Sequence, residues 1–269
     1  MHTNNKQFSD RWAIILGGSS GFGFAAVQKL ASHGMNIAVL YRETAASERA
    51  LKEQLIKLAE ENAIAITPFN INALDTTARE AFIEQIATTI PKRSIKLLLH
   101  SIARGNLKPL VTLEDKGYEE LSIDDIQLTT YAMSTSLLDW TRALLKAGFF
   151  HEDARILGLT SEGSNKYWEG YAAVSIAKSS LESLTTYMAV ELSKYGLKTN
   201  LIQAGITDTP SLKRIPDSER LIQTAVKRNP FGRMTRPEDV ANVIYLLCTD
   251  EAAWINGTVI HVDGGEHCR

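Results

Sequence analysis

The sequence predicts a doubly wound α/β fold, one domain built on a parallel sheet of seven strands. Three observations predict it. Short apolar runs alternate with longer stretches of helical period. The first such run ends in a glycine-rich loop that opens a helix. No Pro/Gly/Ser-rich linker divides the chain, and no repeat of about 20–50 residues is visible. Residues 1–269 are therefore read as a single domain.

The elements follow in order. Ala13-Ile14-Ile15-Leu16 is the first strand, and Phe24, Val27 and Leu30 give a helix over about 21–33 that stops at Gly34. Ile37–Tyr41 is the second strand; Leu51, Leu55 and Leu58 mark the next helix. Ile64–Phe69 is the third strand, with Phe82, Ile83 and Ile86 on the helix after it. Ile95–Leu99 and Arg155–Leu159 are the fourth and fifth strands. Thr199–Gln203 and Thr258–Val262 supply the sixth and seventh, and Leu181, Leu184, Met188 and Leu192 line a helix ahead of them. Thr235-Arg236-Pro237-Glu238 reads as a capping box opening the last helix. The span from about 206 to 229 holds Pro210 and Pro216 and mixed polarity, and is expected to be a mobile helical flap over the carboxyl edge of the sheet.

Composition narrows the function classes. With 44% hydrophobic and 22% charged residues in 269, the chain has material for a buried core and is not a disordered one. A net charge of −2 offers nothing to nucleic acid or to a membrane surface. Two cysteines, Cys248 and Cys268, make no disulfide framework, the first residues show no signal peptide, and no apolar run reaches about 18 residues, so a cytoplasmic location is expected. The histidines and cysteines lack metal-ligand spacing, no metal is expected, and the His267-Cys268 tail is expected to fray.

Gly17-Gly18-Ser19-Ser20-Gly21-Phe22-Gly23 is a G-x-x-x-G-x-G loop between a strand and a helix. Such a loop brings a pyrophosphate against backbone N–H groups at a helix N-terminus, a Rossmann-type dinucleotide site. The second strand ends in Tyr41-Arg42, without the acid that an NAD site places on the adenine ribose. A guanidinium at Arg42 suits a 2′-phosphate, so NADPH is expected over NADH; the alternative is a solvated Arg42 paired with Glu43. Asn70, closing the third strand, meets the adenine or serves an ordinary turn.

The glycine loop, a later helix carrying a Tyr/Lys pair and Val262-Asp263-Gly264-Gly265 together resemble the short-chain dehydrogenase/reductase family over essentially the whole chain. Where most of that family carries Asn-Asn-Ala-Gly, this chain reads His100-Ser101-Ile102-Ala103, similar to the enoyl-acyl carrier protein reductases. Most members set tyrosine four residues before lysine; here Val174 stands four before Lys178, and Tyr171 stands seven before it, as in the enoyl-reductase branch. Seven residues is close to two helical turns, so both side chains share a face. The resemblance implies that Tyr171 stabilises an enolate oxygen and that Lys178 holds the nicotinamide ribose and lowers the tyrosine pKa. It places Ser101, Ile102 and Ala103 on the cofactor, and Gly205, Ile206 and Thr209 in the loop beside the nicotinamide, with Thr209 on the carboxamide or pyrophosphate or else serving as a helix N-cap. Ser161 falls at the ketone reductases' catalytic serine; it bonds substrate or merely ends the strand. Thr129 replaces their active-site asparagine. Leu212, Ile215, Tyr167 and Trp168 cover an acyl chain or pack as ordinary core.

The resemblance thus implies an NADPH-dependent reductase of enoyl thioesters, carried on acyl carrier protein or coenzyme A, assembled as a homotetramer. Lys213, Arg214, Arg220, Lys227 and Arg228 are read either as attracting an acidic carrier or as a solvated helix face. The competing readings are another short-chain reductase, acting on a 3-oxoacyl or other carbonyl, and a catalytically silent NADP-binding sensor.

Overall fold

The computed structural model describes residues 7–112, 119–210, 212–215 and 218–269; Pro216 of the expected flap, the first six residues and the Arg214 side chain lie outside the described residues. Seven strands form one parallel sheet: β1 (Trp12–Leu16), β2 (Asn36–Tyr41), β3 (Ile66–Asn70), β4 (Ile95–His100), β5 (Phe150–Thr160), β6 (Leu197–Ala204) and β7 (Val259–Val262). Their order is β3-β2-β1-β4-β5-β6-β7, so the winding reverses between β1 and β4. At such a switch point neighbouring crossovers leave in opposite directions, and a crevice opens at the carboxyl ends.

The period-2 alternation of β1 divides the core. Ala13 and Ile15 face the cluster under helices α1 (Gly21–Ala31) and α8 (Pro237–Cys248). Trp12, Ile14 and Leu16 face the other, which Phe82, Leu137, Trp140 and Leu181 fill. These come from α3 (Thr76–Ile86), α5 (Ser136–Lys146) and α6 (Ala172–Glu191), while α2 (Ala45–Asn62) links β2 to β3. Both faces of every central strand are therefore buried, which is why those strands read as unbroken apolar runs.

Several expected boundaries move. The third strand starts at Ile66, and the fifth extends from Phe150 to Thr160. The last helix begins at Pro237, with Arg236 rather than Thr235 at the cap; the Asp239 carboxylate accepts the Arg236 N–H at 2.9 Å. The stretch before β5 holds α4 (Ile123–Thr130), a π-helical turn (Tyr131–Thr135) and α5 in one continuous run. The extra residue of the π turn shifts the helical phase, so α4 and α5 share no single apolar stripe; neither was read from the sequence, although α5 alone carries Leu137, Trp140, Thr141 and Leu144 on one buried face. The tail is not frayed. Asp263 accepts the N–H groups of Gly265 (2.9 Å) and His267 (3.0 Å), holding a turn over Glu266–Cys268 and burying Glu266.

The amino end of the sheet is held by charge. Arg155, fully buried, and Lys96, nearly so, converge with Lys198 on Asp153, Lys96 at 2.7 Å. Burial pushes the Asp153 carboxyl up, but hydrogen bonds from Arg155, Lys198 and Lys96 outweigh it and hold the group well below the usual carboxylate range. A depressed folded-state pKa means stability that is present at neutral pH and lost on acidification. Asp153→Asn should lower the unfolding free energy by about 3 kcal/mol at neutral pH, because it strands buried cations. The difference from wild type should begin to shrink below pH ~4, where the unfolded chain's carboxyl takes up its proton while the folded one is still ionised. Urea unfolding of both proteins at the two pH values measures this; equal stability at neutral pH would refute it.

Candidate active site

The crevice at the β1/β4 switch is a cleft of about 610 Å³ lined by the glycine loop, the ends of β2 and β4 and the face of α6. Gly17, Ser19, Ser20, Gly21, Phe22, Arg42, Ser101, Ile102, Ala103, Lys178 and Thr209 line it. Gly23 lies behind the loop: a Cβ there would sit 2.1 Å from the Gly17 carbonyl oxygen, so only glycine lets the helix start this close to the strand. Ser20, at the helix cap in extended backbone, gives no side-chain bond to its own helix, leaving the first N–H groups of α1 to meet an anion in the cleft. These features fit a dinucleotide pyrophosphate.

At the adenine end Arg42 is exposed and lines the cleft, and no ion pair joins it to Glu43 among the described residues. Glu43 lines the cleft as well. Asn70 does not, and of its two expected roles the turn is the one found. Its side-chain amide is taken up by the backbone of Glu43 (3.0 Å in both directions) and by the Glu48 carboxylate (3.0 Å). Its work is to fix the turn after β2, and Ile71–Leu74 form the wall in its place.

Residue 171 caps α6 instead of lying within it, with φ −94° and ψ 4°. Its hydroxyl lies 3.5 Å from Ser161 Oγ at the end of β5. Gly163 makes room for the ring: a Cβ there would stand 2.5 Å from Tyr171 Cε1, a constraint the sequence reading missed. Burial pushes the Tyr171 pKa up, opposed by the Ser161 hydrogen bond. The expected lowering by Lys178 is not found, because that ammonium is directed elsewhere: Nζ donates to the Leu159 carbonyl at 2.7 Å. Tyr171 is therefore a neutral phenol at physiological pH, a hydrogen-bond donor. Lys178 is buried, and burial pulls its pKa down to about 8 against the opposing charge of Glu182. Two of its three protons remain for hydroxyls in the cleft.

His100 closes β4 with its Nε2 2.8 Å from Ser136 Oγ, tying the strand to the start of α5. Burial, with Lys178 adding to it, pushes its pKa down to about 3, so the imidazole is neutral and structural. Thr129 is buried and accepts the Asn106 N–H at 3.1 Å, pinning the loop after β4.

A second cavity, of about 250 Å³, adjoins the cleft through Ser161, Tyr171 and Thr209. Leu107, Met133, Trp168, Val174, Leu212 and Ile215 give it an apolar wall. Tyr167 does not contribute; it is 90% exposed and points outward. Gly205 and Ile206 border this cavity but not the cleft, and the Thr209 hydroxyl accepts the Leu212 N–H at 3.2 Å. The expected basic cluster is not one patch: Lys213 pairs with Asp208 at 3.2 Å, Arg220 and Lys227 are exposed, and Arg228 turns inward to Glu162 and Glu266. His261, Asp263 and His267 bring donor atoms within 4.8 Å of one another, a grouping that their spacing did not suggest. The two imidazoles lie stacked, 3.9 Å apart and 18° from parallel, so their lone pairs do not converge on a common point. His267 Nδ1 is spent on Asp263 at 2.6 Å, and the group anchors the tail.

A family model described as enoyl-(acyl carrier protein) reductase matches residues 17–267. The enoyl-(acyl-carrier-protein) reductase (NADH) of Aquifex aeolicus is 32% identical over 174 residues, 65% of this chain and a little under two thirds, 63%, of that protein. A probable 2,4-dienoyl-CoA reductase of Bacillus subtilis is 28% identical over 255 residues, 94% of this chain and 95% of that one. The crystal structure of the Aquifex reductase superposes with a TM-score of 0.82 at 23% identity, covering 98% of both chains, a likeness of fold.

If the Lys178 ammonium holds a ribose, affinity for the dinucleotide should be constant below pH ~7 and weaken as pH rises through about 8, where the amine loses its proton. Lys178→Met should bind weakly and without that pH dependence. Fluorescence titration across the range measures both; a flat wild-type profile would remove the ammonium from the binding site.

Proposed function

This chain belongs to the short-chain dehydrogenase/reductase family, and we propose that within it the protein is an NADPH-dependent reductase of enoyl thioesters carried on acyl carrier protein or coenzyme A. The observation that carries the reading is Val174. It lines the substrate cavity at the position four residues before Lys178, where a carbonyl-reducing relative keeps its tyrosine, and the phenol comes instead from Tyr171. Moving the donor along the chain suits a reaction in which hydride goes to the β-carbon while charge appears on the thioester oxygen.

When bound, NADPH supplies that hydride. The Tyr171 hydroxyl donates a hydrogen bond to the thioester oxygen and strengthens it as the enolate forms, which favours the transition state over the ground state. As a neutral phenol with a raised pKa it keeps its proton and acts as a donor, not as an anion. Ser161 Oγ, within 3.5 Å, orients that hydroxyl. Lys178 holds the ribose and orients the dinucleotide, with Gly17 to Gly21 and the N–H groups of α1 on the pyrophosphate. The enolate then takes a proton at its α-carbon from solvent entering through the cleft, so each turnover consumes one hydride and one proton. The helix α7 (Ser218–Arg228), with Leu212 and Ile215, covers the cavity as a flap in this reading, and the protein works in the cytoplasm as a homotetramer. One observation favours a second reading, reduction of a 3-oxoacyl thioester: a serine beside the tyrosine hydroxyl, as carbonyl reductases have.

Two experiments test this. Tyr171→Phe should lower kcat with a crotonyl thioester by roughly 10²–10³, the loss of one oxyanion donor. Ser161→Ala should lose about tenfold or less, the worth of one orienting hydrogen bond. Faster turnover of a 3-oxoacyl thioester than of the enoyl one, or a larger defect in Ser161→Ala, would transfer the assignment to the carbonyl reductases. For the cofactor, wild type should show a higher kcat/KM with NADPH than with NADH, and Arg42→Ala should lose that preference. The alternative is NADH with Glu43 on the ribose hydroxyls; in that case wild type prefers NADH and Glu43→Gln, not Arg42→Ala, impairs it.

A further inference from the structure

The cavity that adjoins the Tyr171/Ser161 pair has a wall no hydrocarbon chain would select. Glu162, Arg228 and Glu266 line it on the side away from the dinucleotide cleft. Arg228, the last residue of α7, donates through Nη2 to both acids, to Glu162 Oε2 and to Glu266 Oε1, the latter at 2.9 Å. Lys166 pairs with the other oxygen of Glu162. The Glu266 side chain is only 2% exposed, and that of Arg228 is 22% exposed. The bridge is incomplete: Arg228 Nε is buried with no hydrogen-bond partner, Glu266 Oε2 is buried and meets only a loosely aligned backbone N–H of Ile206, and a single nitrogen serves both carboxylates. The only other such side-chain atoms among the described residues are two threonine hydroxyls, Thr185 and Thr199, neither of which lines this cavity.

We propose that this wall selects the substrate: the acyl group it takes carries a neutral hydroxyl or amide toward its far end, and Arg228 and Glu266 are the residues that recognise it. The proposal rests on the enoyl-thioester reading for the reacting end of the molecule. A hydroxyl accepts from the guanidinium and donates to a carboxylate, so it enters the bridge and leaves each charge with a partner. A methylene does neither: it leaves the buried atoms of the bridge unserved and removes water from the partly exposed Arg228 and Glu162. An anionic end is disfavoured as well, because two carboxylates face one guanidinium. The apolar wall of Leu107, Met133 and Trp168 takes the carbons between the two ends. The three ionic residues come from the loop after β5, the end of α7 and the C-terminal turn, so the same contact fastens the flap when the polar end is seated.

The test uses matched thioesters of pantetheine that differ by one oxygen: 2-hexenoyl against 6-hydroxy-2-hexenoyl for turnover with NADPH. Their saturated counterparts serve for calorimetric binding to the enzyme–NADP⁺ complex. Wild type should favour the hydroxylated member by about tenfold or more in kcat/KM and in affinity, as for a hydrogen bond to a charged group. Glu266→Gln, which keeps the shape, should reduce that ratio, and Arg228→Met with Glu266→Leu should reverse it toward the hydrocarbon. Thermal melts of each variant show whether it is folded. If the double variant is not, the Glu266→Gln ratio decides. An equal or greater preference for the hydrocarbon in wild type overturns the proposal, and so does a hydroxyl preference that neither variant alters. Selective binding of the hydroxylated saturated thioester without turnover of either enoyl compound would support the polar wall and sink the enoyl-reductase reading instead.

Discussion

The reversal of winding between β1 and β4 is the constraint on which the site depends. Because the crossovers from these two strands leave in opposite directions, nothing fills the space above their carboxyl ends. The backbone then has to pass close to the opening of α1, and Gly23 permits it: any side chain there would collide with the Gly17 carbonyl. With that contact made, the helix N-terminus, uncapped by Ser20, faces the crevice. The positive end of a helix is thereby placed beside the strand ends, which is the electrostatic requirement for holding a pyrophosphate.

Chemistry is concentrated where burial is deepest but still open to the crevice. The same desolvation acts in opposite directions on its two ionisable groups. It raises Tyr171, which keeps its proton, and lowers Lys178 to about 8, which stays charged at neutral pH. Neither group perturbs the other, since the lysine turns toward the Leu159 carbonyl. The pair thus divides the labour, with a neutral donor at the substrate cavity and a cation at the cleft. Strongly paired charge is kept at the opposite end of the sheet, where Asp153 gathers Arg155, Lys96 and Lys198 far from the reacting groups. The chain therefore separates a stabilising network at the strands' amino ends from an adjustable one at their carboxyl ends.

Family membership and fold do not choose among reactions, since reductases of enoyl, dienoyl and carbonyl groups share the architecture. On the proposed function, that choice falls to a few side chains. Val174 removes one donor position, Tyr171 supplies another, and Ser161 supports it. Glu162, Arg228 and Glu266 give the neighbouring cavity an ionic side that a purely apolar acyl pocket would not have. Three distant segments meet there: the loop after β5, the end of α7 and the C-terminal turn.

The strand-and-helix alternation, the glycine loop and the displaced tyrosine are local patterns, and local sterics make them readable: a strand buried on both faces must be apolar, and a helix opening against a strand must begin in glycine. These patterns were enough for the seven-stranded sheet, the crevice at its carboxyl edge and most of the residues that line it. Contacts between segments far apart in the chain were not readable. Asn70 looked free to meet an adenine, but the fold spends its amide on Glu43 and Glu48. Arg228 belonged to a solvent-facing basic helix until tertiary packing set it between Glu162 and Glu266, and the tail looked frayed until Asp263 gathered its N–H groups. The π turn broke the phase between α4 and α5, so the two did not read as one helical stretch. Polar side chains have several partners of similar energy, and only the arrangement of the whole chain decides which of them is near.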